Sequence, residues 1–345
     1  MAGGVGSRFW PMSTQSHPKQ FIDVLGVGRT LLQMTVDRFK GICGIEQVWI
    51  VTSVRYRELV KQQLPELLDE NILLEPCMRN TAPCIAYAAW KIKQRDPQAN
   101  LIISPADHIV MDVPEFQRVI RKGVQFVEAE DRILTLGMMP TRPETGYGYI
   151  HALSEKLEGE KEIKAVESFK EKPDAATAQQ YLSAGGYYWN AGIFLWNVAT
   201  VEKAFRAFQP EIARLFDALS TDFYTSREQQ TIDARFSESP AISIDYAVME
   251  HARNIFVYPA SFGWSDLGTW GSLYEQLEKD DSQNAVVGNG VSMVESRGCI
   301  VHVPDNHKMV LQGLEDYIIA EKNGVLMVCR KADEQRIKEF SQQLK

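Results

Sequence analysis

An α/β fold with a small β appendage is predicted by three observations. Over the first half of the chain, apolar runs of strand length alternate with amphipathic helical stretches, the pattern of a parallel sheet covered by helices. A glycine-rich turn, GGVGSR, lies within the first eight residues, where a turn of that kind can bind phosphate. From residue 285 onward the texture changes to short β-like runs broken by glycine or asparagine. The 345 residues suffice for roughly two domains. The expected division is a large domain over 1–280 and a small β domain over 281–345.

Each element follows from its residues. EQVWIVTS (46–53) reads as a strand and 55–68 as a helix. NILLEP (71–76) reads as the next strand; its helix starts at Asn80 or Thr81, which can cap an N-terminus, with Pro83 in the first turn. ANLIISPADH (99–108) is a third strand ending in a polar turn, Pro114 opens a helix to about 129, and DRILTLGM (131–138) closes this part. Between 139 and 200, TGYGYIHA, EIKAVESFKEKP and GGYYWNAGIFLWN read as strands able to form a lid or second lobe over the sheet. Helices continue to about 250, and a strand at NIFVYPA leads into FGWSDLGTW. The final runs, NAVVGNGVSMV, GCIVHV, KMVLQG and DYIIAEKNGVLMVC, echo a left-handed β-helix without a clean hexapeptide period, and a helix follows over roughly 332–344.

Composition excludes several classes. No stretch approaches the ~20 apolar residues of a membrane-spanning helix, and no export signal opens the chain, so a cytoplasmic protein is expected. The five cysteines are odd in number and free of CxxC pairs, which reads as reduced thiols rather than disulfides or zinc ligands. A net charge of −8 without a basic run argues against nucleic-acid binding. An acidic protein that binds an anionic guest must concentrate its positive charge locally.

The opening segment, GGVGSRFWPMSTQSHPKQF, has that concentration. Gly3, Gly4 and Gly6 allow positive φ and present no Cβ, so backbone N–H groups can converge on a polyanion. Arg8 and Lys19 add fixed charge, and charge-assisted bonds to phosphate are about twice as strong as neutral ones. A bare GGxG is also an ordinary turn. The spacing is neither that of a Walker loop nor that of the dinucleotide fingerprint, and lipase and kinase signatures are absent. The whole string GGxGxRxWPxSxxxxPKQF, however, resembles the opening of the sugar-1-phosphate nucleotidylyltransferases, with WP and PKQF pointing to the mannose-1-phosphate guanylyltransferase branch.

Further motifs carry the resemblance along the chain, and they imply a Rossmann-like mixed sheet of the GT-A-like kind. Asp107 in SPADH lies past a predicted strand end, where ligands bind in open sheets. Either Asp107 or Asp266 of GWSDLGTW alone reads as a turn cap; together, by resemblance, they hold Mg²⁺ beside the α-phosphate. EPCMRNTAP (75–83) resembles the element that lines the base pocket, which implies nucleotide contacts from Ala2, Gly3, Gly4, Gly6, Arg8, Lys19, Glu75, Asn80, Thr81, Pro105 and Asp107. Glu75 could accept the adjacent N1–H and N2–H donors of guanine, or simply pair with Arg79. Glu171 and Lys172 of KEKP, Asn190 of WNAGIF and Gly146 of TGYGYI are implied at the sugar phosphate, Lys172 on its phosphate. Asp245 and Glu250 of DYAVME, five apart on an expected helix, read as structural.

The resemblance implies Mg²⁺-assisted transfer of a guanylyl group from GTP to mannose 1-phosphate, with Arg8, Lys19, Asp107 and Lys172 as the catalytic set and a homodimer as the assembly. A relative that uses another nucleotide or hexose phosphate, and a non-catalytic sugar-nucleotide sensor, are the alternatives. In the resembling family a buried strand runs into the glycine turn, whereas only Met1 and Ala2 precede it here. That strand is expected to be absent from this sequence.

Overall fold

The computed structural model describes residues 1–344 except Val5 and Lys156. In chain order the elements begin with α1 (Leu31–Asp37), β1 (Ile50–Ser53), α2 (Arg57–Gln63), β2 (Ile72–Glu75), α3 (Thr81–Arg95), β3 (Asn100–Ile103) and β4 (Ile109–Val110). There follow α4 (Val113–Val127), β5 (Ile133–Met138), β6 (Tyr149–Ala152), β7 (Lys164–Lys170), α5 (Ala175–Ala184), β8 (Tyr187–Asn197), α6 (Val198–Phe208), α7 (Pro210–Leu219) and α8 (Glu228–Arg235). A π-helical turn (Asp245–Met249), β9 (Ile255–Ala260), β10 (Trp264–Ser265) and α9 (Trp270–Gln276) come next. The chain closes with β11 (Ala285–Val287), β12 (Val291–Val294), β13 (Ile300–His302), β14 (Met309–Gln312), β15 (Tyr317–Lys322), β16 (Val325–Arg330) and α10 (Ile337–Gln342).

These elements form two compact units. The first comprises Met1–Gly3, Arg38–Pro105 and Val110–Trp264; the second comprises Gly4–Asp37, Ala106–Ile109 and Ser265–Lys345.

The first unit is built on a six-stranded sheet of order β3-β8-β5-β9-β7-β6, in which β6 also pairs with β8. Among the described residues, only β5 and β9 run parallel within it; β8 is antiparallel to β3, β5 and β6. The sheet is therefore mixed, as the resemblance implies, and not the parallel one that the alternation over the first half of the chain suggests. The segment expected to form a lid is not a lobe at all, since β8 runs through the sheet between β3 and β5. Its residues Ile193, Phe194, Leu195 and Trp196 are all buried, which suits an interior strand covered on both faces. The parallel pair β1–β2 forms a separate ladder, along which Ala2 N donates to Val51 O at 2.9 Å and Thr52 Oγ1 donates to Ala2 O at 2.8 Å.

Helix starts in this unit follow side-chain caps. Asn80 accepts from Thr81 N at the head of α3, Asp112 from Glu115 N at α4, and Asn197 from Thr200 N at α6. α3 buries most of its length, from Ala82 to Lys91, against α6 and α7. The expected helix at 55–68 is shorter, since α2 stops at Gln63. α5 was not anticipated: it buries only Ala178 and so lacks the apolar stripe that marks a helix in sequence.

The second unit packs Phe9, Met12, Ile22 and Leu31 with Leu267, Trp270, Ile300 and Ile318 into one core. Its strands pair largely in parallel register, with Ala285 opposite Ile300, Ile300 opposite Ile318 and Val291 opposite Met309. β16 turns back antiparallel to β15. All five cysteines are free thiols. Among the described residues no helix is long and apolar enough to cross a membrane.

Candidate functional site

In the second unit, the glycine turn, the PKQF segment and two aspartate loops converge. Gly6 adopts a left-handed conformation, φ 63°, and a Cβ there would lie 2.6 Å from Lys19 Cβ. Glycine is thus required twice over, by backbone sign and by close approach. Its carbonyl accepts from Phe9 N at 2.9 Å and from Ser13 Oγ, closing the turn.

Lys19 is the hub of this arrangement. Only 4% exposed, it places Nζ 3.1 Å from Asp107 Oδ2, 2.7 Å from Asp266 O and 3.1 Å from Leu267 O. An ammonium has three N–H donors, and three protein acceptors surround this one. The sequence reading sends Lys19 to the triphosphate; in the structure its ammonium ties both aspartate loops together. Leu267, the residue after Asp266, has φ 47°, a conformation rare outside glycine, and Asp266 Oδ1 accepts from Gly268 N at 2.9 Å. Burial pushes the Asp107 carboxyl up, but the adjacent Lys19 ammonium and His108 overcome this and hold it below the ordinary value. His108 Nε2 lies 3.7 Å from Asp107 Oδ1.

These groups border a cavity of about 510 Å³, within the usual range for ligand sites, lined among others by Gly6, Arg8, Lys19, Asp107, Asp266 and Gly268. Among the described residues the Arg8 guanidinium has no ion-pair partner. Gly4 faces open space: beyond its chain neighbours, no described residue comes within 4 Å of where a Cβ would stand.

The first unit carries a second set of polar groups. Glu75 ends β2, is 8% exposed and leaves Oε1 without a hydrogen-bond partner among the described residues. Burial pushes its carboxyl up to about 7. Gly3 approaches it, a Cβ there falling 3.9 Å from Glu75 Oε2. The alternative pairing with Arg79 does not occur, since Arg79 donates to Ser237 O at 2.6 Å. Asn80 has φ 68° while capping α3, and Thr81 Oγ1 accepts from Ile244 N at 2.8 Å. The Pro105 carbonyl accepts from Arg38 at 3.3 Å.

Asn190 sits on β8 where the register against β5 shifts between Thr135 and Gly137. Such an irregularity re-aims a side chain. Its amide is held on both ends: Nδ2 donates to Asp245 Oδ1 at 2.9 Å, and Oδ1 accepts from Gly192 N at 3.0 Å and Thr135 Oγ1 at 3.2 Å. Glu171 is buried, ion-paired with Lys172, and its N–H donates to Glu250 Oε1 at 3.0 Å. Lys172 has φ 45°; burial lowers its ammonium but the Glu171 carboxylate outweighs this and raises it. Burial, reinforced by Glu171, pushes the Asp245 carboxyl up to about 6.

Asp245 and Glu250 therefore join Asn190 and Glu171 directly, which the sequence reading missed. The intervening turn is π-helical, with Glu250 N donating to Asp245 O. Gly146 does not enter this group; its N–H donates to Glu144 Oε1 at 3.0 Å. Gly148 does, because Asn190 N donates to its carbonyl at 2.8 Å and a Cβ there would stand 2.5 Å from Glu171 Oε2.

Residues 1–283 match the model of the nucleotidyl transferase family. The chain belongs to that family. Within it, the chain is similar to mannose-1-phosphate guanylyltransferase RfbM of Salmonella typhimurium, 36% identical over 352 residues that cover 100% of this chain and 71% of the relative. It is also similar to the alginate biosynthesis protein AlgA of Pseudomonas aeruginosa, 37% identical over 345 residues, covering 98% and 70%. A crystal structure from Thermus thermophilus, described as a mannose-1-phosphate geranyltransferase, superposes with a TM-score of 0.89 at 30% identity, covering 100% of this chain and 97% of that one. The nucleotidyl transferase match ends at residue 283, before β11.

Proposed function

We propose that this chain is a mannose-1-phosphate guanylyltransferase: GTP and α-D-mannose 1-phosphate give GDP-mannose and diphosphate. The observation that carries the reading is the Lys19 clamp, which brings Asp107 and Asp266 onto one cavity wall with Arg8. The activity named for the Salmonella relative supports it.

The reaction needs alignment and neutralisation of charge rather than a protein nucleophile, since the attacking sugar-phosphate oxygen is already anionic. Displacement at the α-phosphorus is in line, and diphosphate leaves. The glycine turn and Arg8 receive the departing diphosphate, while Lys172 faces the incoming phosphate. Asn190 and Glu171 hydrogen-bond the sugar hydroxyls, held in place by Asp245 and Glu250. Glu75 accepts the guanine N1–H and N2–H groups; its buried, unpartnered oxygen is costly until a donor arrives, a penalty of about 1–3 kcal/mol.

The donor set suits Mg²⁺. Among the described residues no cluster of three or more His, Cys, Asp or Glu side chains could hold a metal alone, and Mg²⁺ usually takes one or two carboxylates with phosphate oxygens completing its shell. Asp107 and Asp266 would supply those carboxylates, and the ion would draw charge from the α-phosphate. The parallel register of β11, β13 and β15 further supports a short β-helix-like fold for the C-terminal strands, and a homodimer remains part of the proposal.

Diphosphate release measured across four nucleoside triphosphates and several hexose 1-phosphates tests the reading. GTP with mannose 1-phosphate is expected to give the highest kcat/KM; a higher value for another pair would reassign the substrates.

A further inference from the structure

We propose that Lys338, with Gln335 beside it, binds the outer phosphates of the nucleotide, so that the C-terminal helix completes the polyphosphate cavity. The inference rests on reading that cavity as the triphosphate site. Both residues line the same 510 Å³ space as Arg8, Lys19, Asp107 and Asp266. Both lie beyond residue 283, outside the stretch matched by the family model.

The segment is anchored, not draped. A 3-10 stretch (Lys331–Arg336) runs into α10, and Ile337 is completely buried in the core with Phe9, Leu267 and Trp270. Glu334 Oε2 accepts from Gly271 N at 2.7 Å, in the first turn of α9. Residues three apart share a helical face. Glu334 and Ile337 therefore form the packed stripe, and Gln335 and Lys338 the neighbouring stripe that borders the cavity.

Charge gives the lysine its purpose. The Lys19 ammonium is saturated by Asp107, Asp266 O and Leu267 O, so it has no donor to spare for a phosphate. Arg8 and Lys338 are the cavity's cations without an ion-pair partner among the described residues. Arg8 and Lys19 alone would only balance Asp107 and Asp266. Lys338 tips the side-chain charge of the wall to net positive, adding to what Mg²⁺ on the two carboxylates would supply toward a guest with several negative charges, and Gln335 adds a neutral donor. A cation opposite the departing diphosphate stabilises charge that grows in the transition state.

The test is calorimetric titration of inorganic tripolyphosphate, in Mg²⁺ buffer, into the full chain and its Lys338→Ala, Lys338→Arg and Lys338→Glu variants. Tripolyphosphate carries neither base nor sugar, so the result does not depend on which nucleotide or hexose is used. We expect affinity about tenfold weaker for Lys338→Ala, near wild type for Lys338→Arg and abolished for Lys338→Glu, all with unchanged Tm because the side chain is exposed. Wild-type binding that Lys338→Ala leaves intact would overturn the role of Lys338, as would a loss of affinity matched by a fall in Tm. A wild-type chain that does not bind tripolyphosphate would instead overturn the reading of the cavity.

Discussion

The two polar regions handle charge in opposite ways. In the second unit, Asp107 is ion-paired with Lys19 and its carboxyl is held below the ordinary value. In the first, Glu75 and Asp245 are buried with too little positive charge, and their carboxyls rise to about 7 and about 6. A compensated carboxylate can face a polyanion with its metal and stay ionised. An uncompensated one stores an unmet need for hydrogen-bond donors, which suits the reading of base N–H groups and sugar hydroxyls. Under the proposed function, the contrast divides the labour into neutralising phosphate and recognising neutral groups.

The sharpest way to break this comparison is Asp107→Asn. It removes a carboxylate proposed to hold Mg²⁺ and leaves the 4% exposed Lys19 ammonium without its anion. Turnover should fall more than about a hundredfold, and Tm should fall too, because the buried Lys19 ammonium loses the carboxylate that compensates it. A kinetic loss with no change in melting would show that the pair is not holding the loops. Next in size is Asp245→Asn. With its anchor altered, the Asn190 amide can reorient, so KM for mannose 1-phosphate should rise about tenfold while KM for GTP holds, the loss of one charge-assisted bond. An equal rise in both would deny Asp245 a place in sugar recognition.

The smallest effect should come from Glu75→Gln and pH. With its carboxyl near 7, Glu75 is ionised above that value and protonated below it, so a group that must accept two N–H donors loses its function as pH falls. KM for GTP should rise about fivefold between pH 7 and pH 6 in the wild type, and the dependence should flatten in Glu75→Gln along with a loss of discrimination against ITP. The same raised carboxyl favours the protonated folded state, so its contribution to stability is complete below the ordinary glutamate value and disappears as pH rises through 7. An unchanged KM profile in the variant would move guanine reading to the backbone.

What could be read from sequence was local. The Gly6 turn and the Asn80 cap depend on backbone conformations that their own residue types prescribe, and the structure has them in place. The contacts of Lys19 were not legible because they depend on burial: nothing within PKQF indicates that carbonyls some 247 residues away in sequence surround its ammonium. Asp245 and Glu250 were set aside by an argument that assumes an α-helix, where five residues turn through roughly 140° past a full circuit. The local helix is π, wound wider, and its i to i+5 hydrogen bond brings the ends of that spacing back together. β8 was recognised as a strand but misplaced as a lid, because alternation shows that a segment is extended and says little about which neighbours it will have.

That misplaced strand limits how the proposed sugar site can change. β8 is laced into three ladders, with β3, β5 and β6, and Asn190 lies among the pairings to β5. Shifting its backbone to suit a different hexose would mean unzipping all three at once. Such a strand belongs to the part of a protein that opens last. A new sugar preference at this position therefore has to come from exchanging side chains on a fixed frame, not from loosening the frame itself.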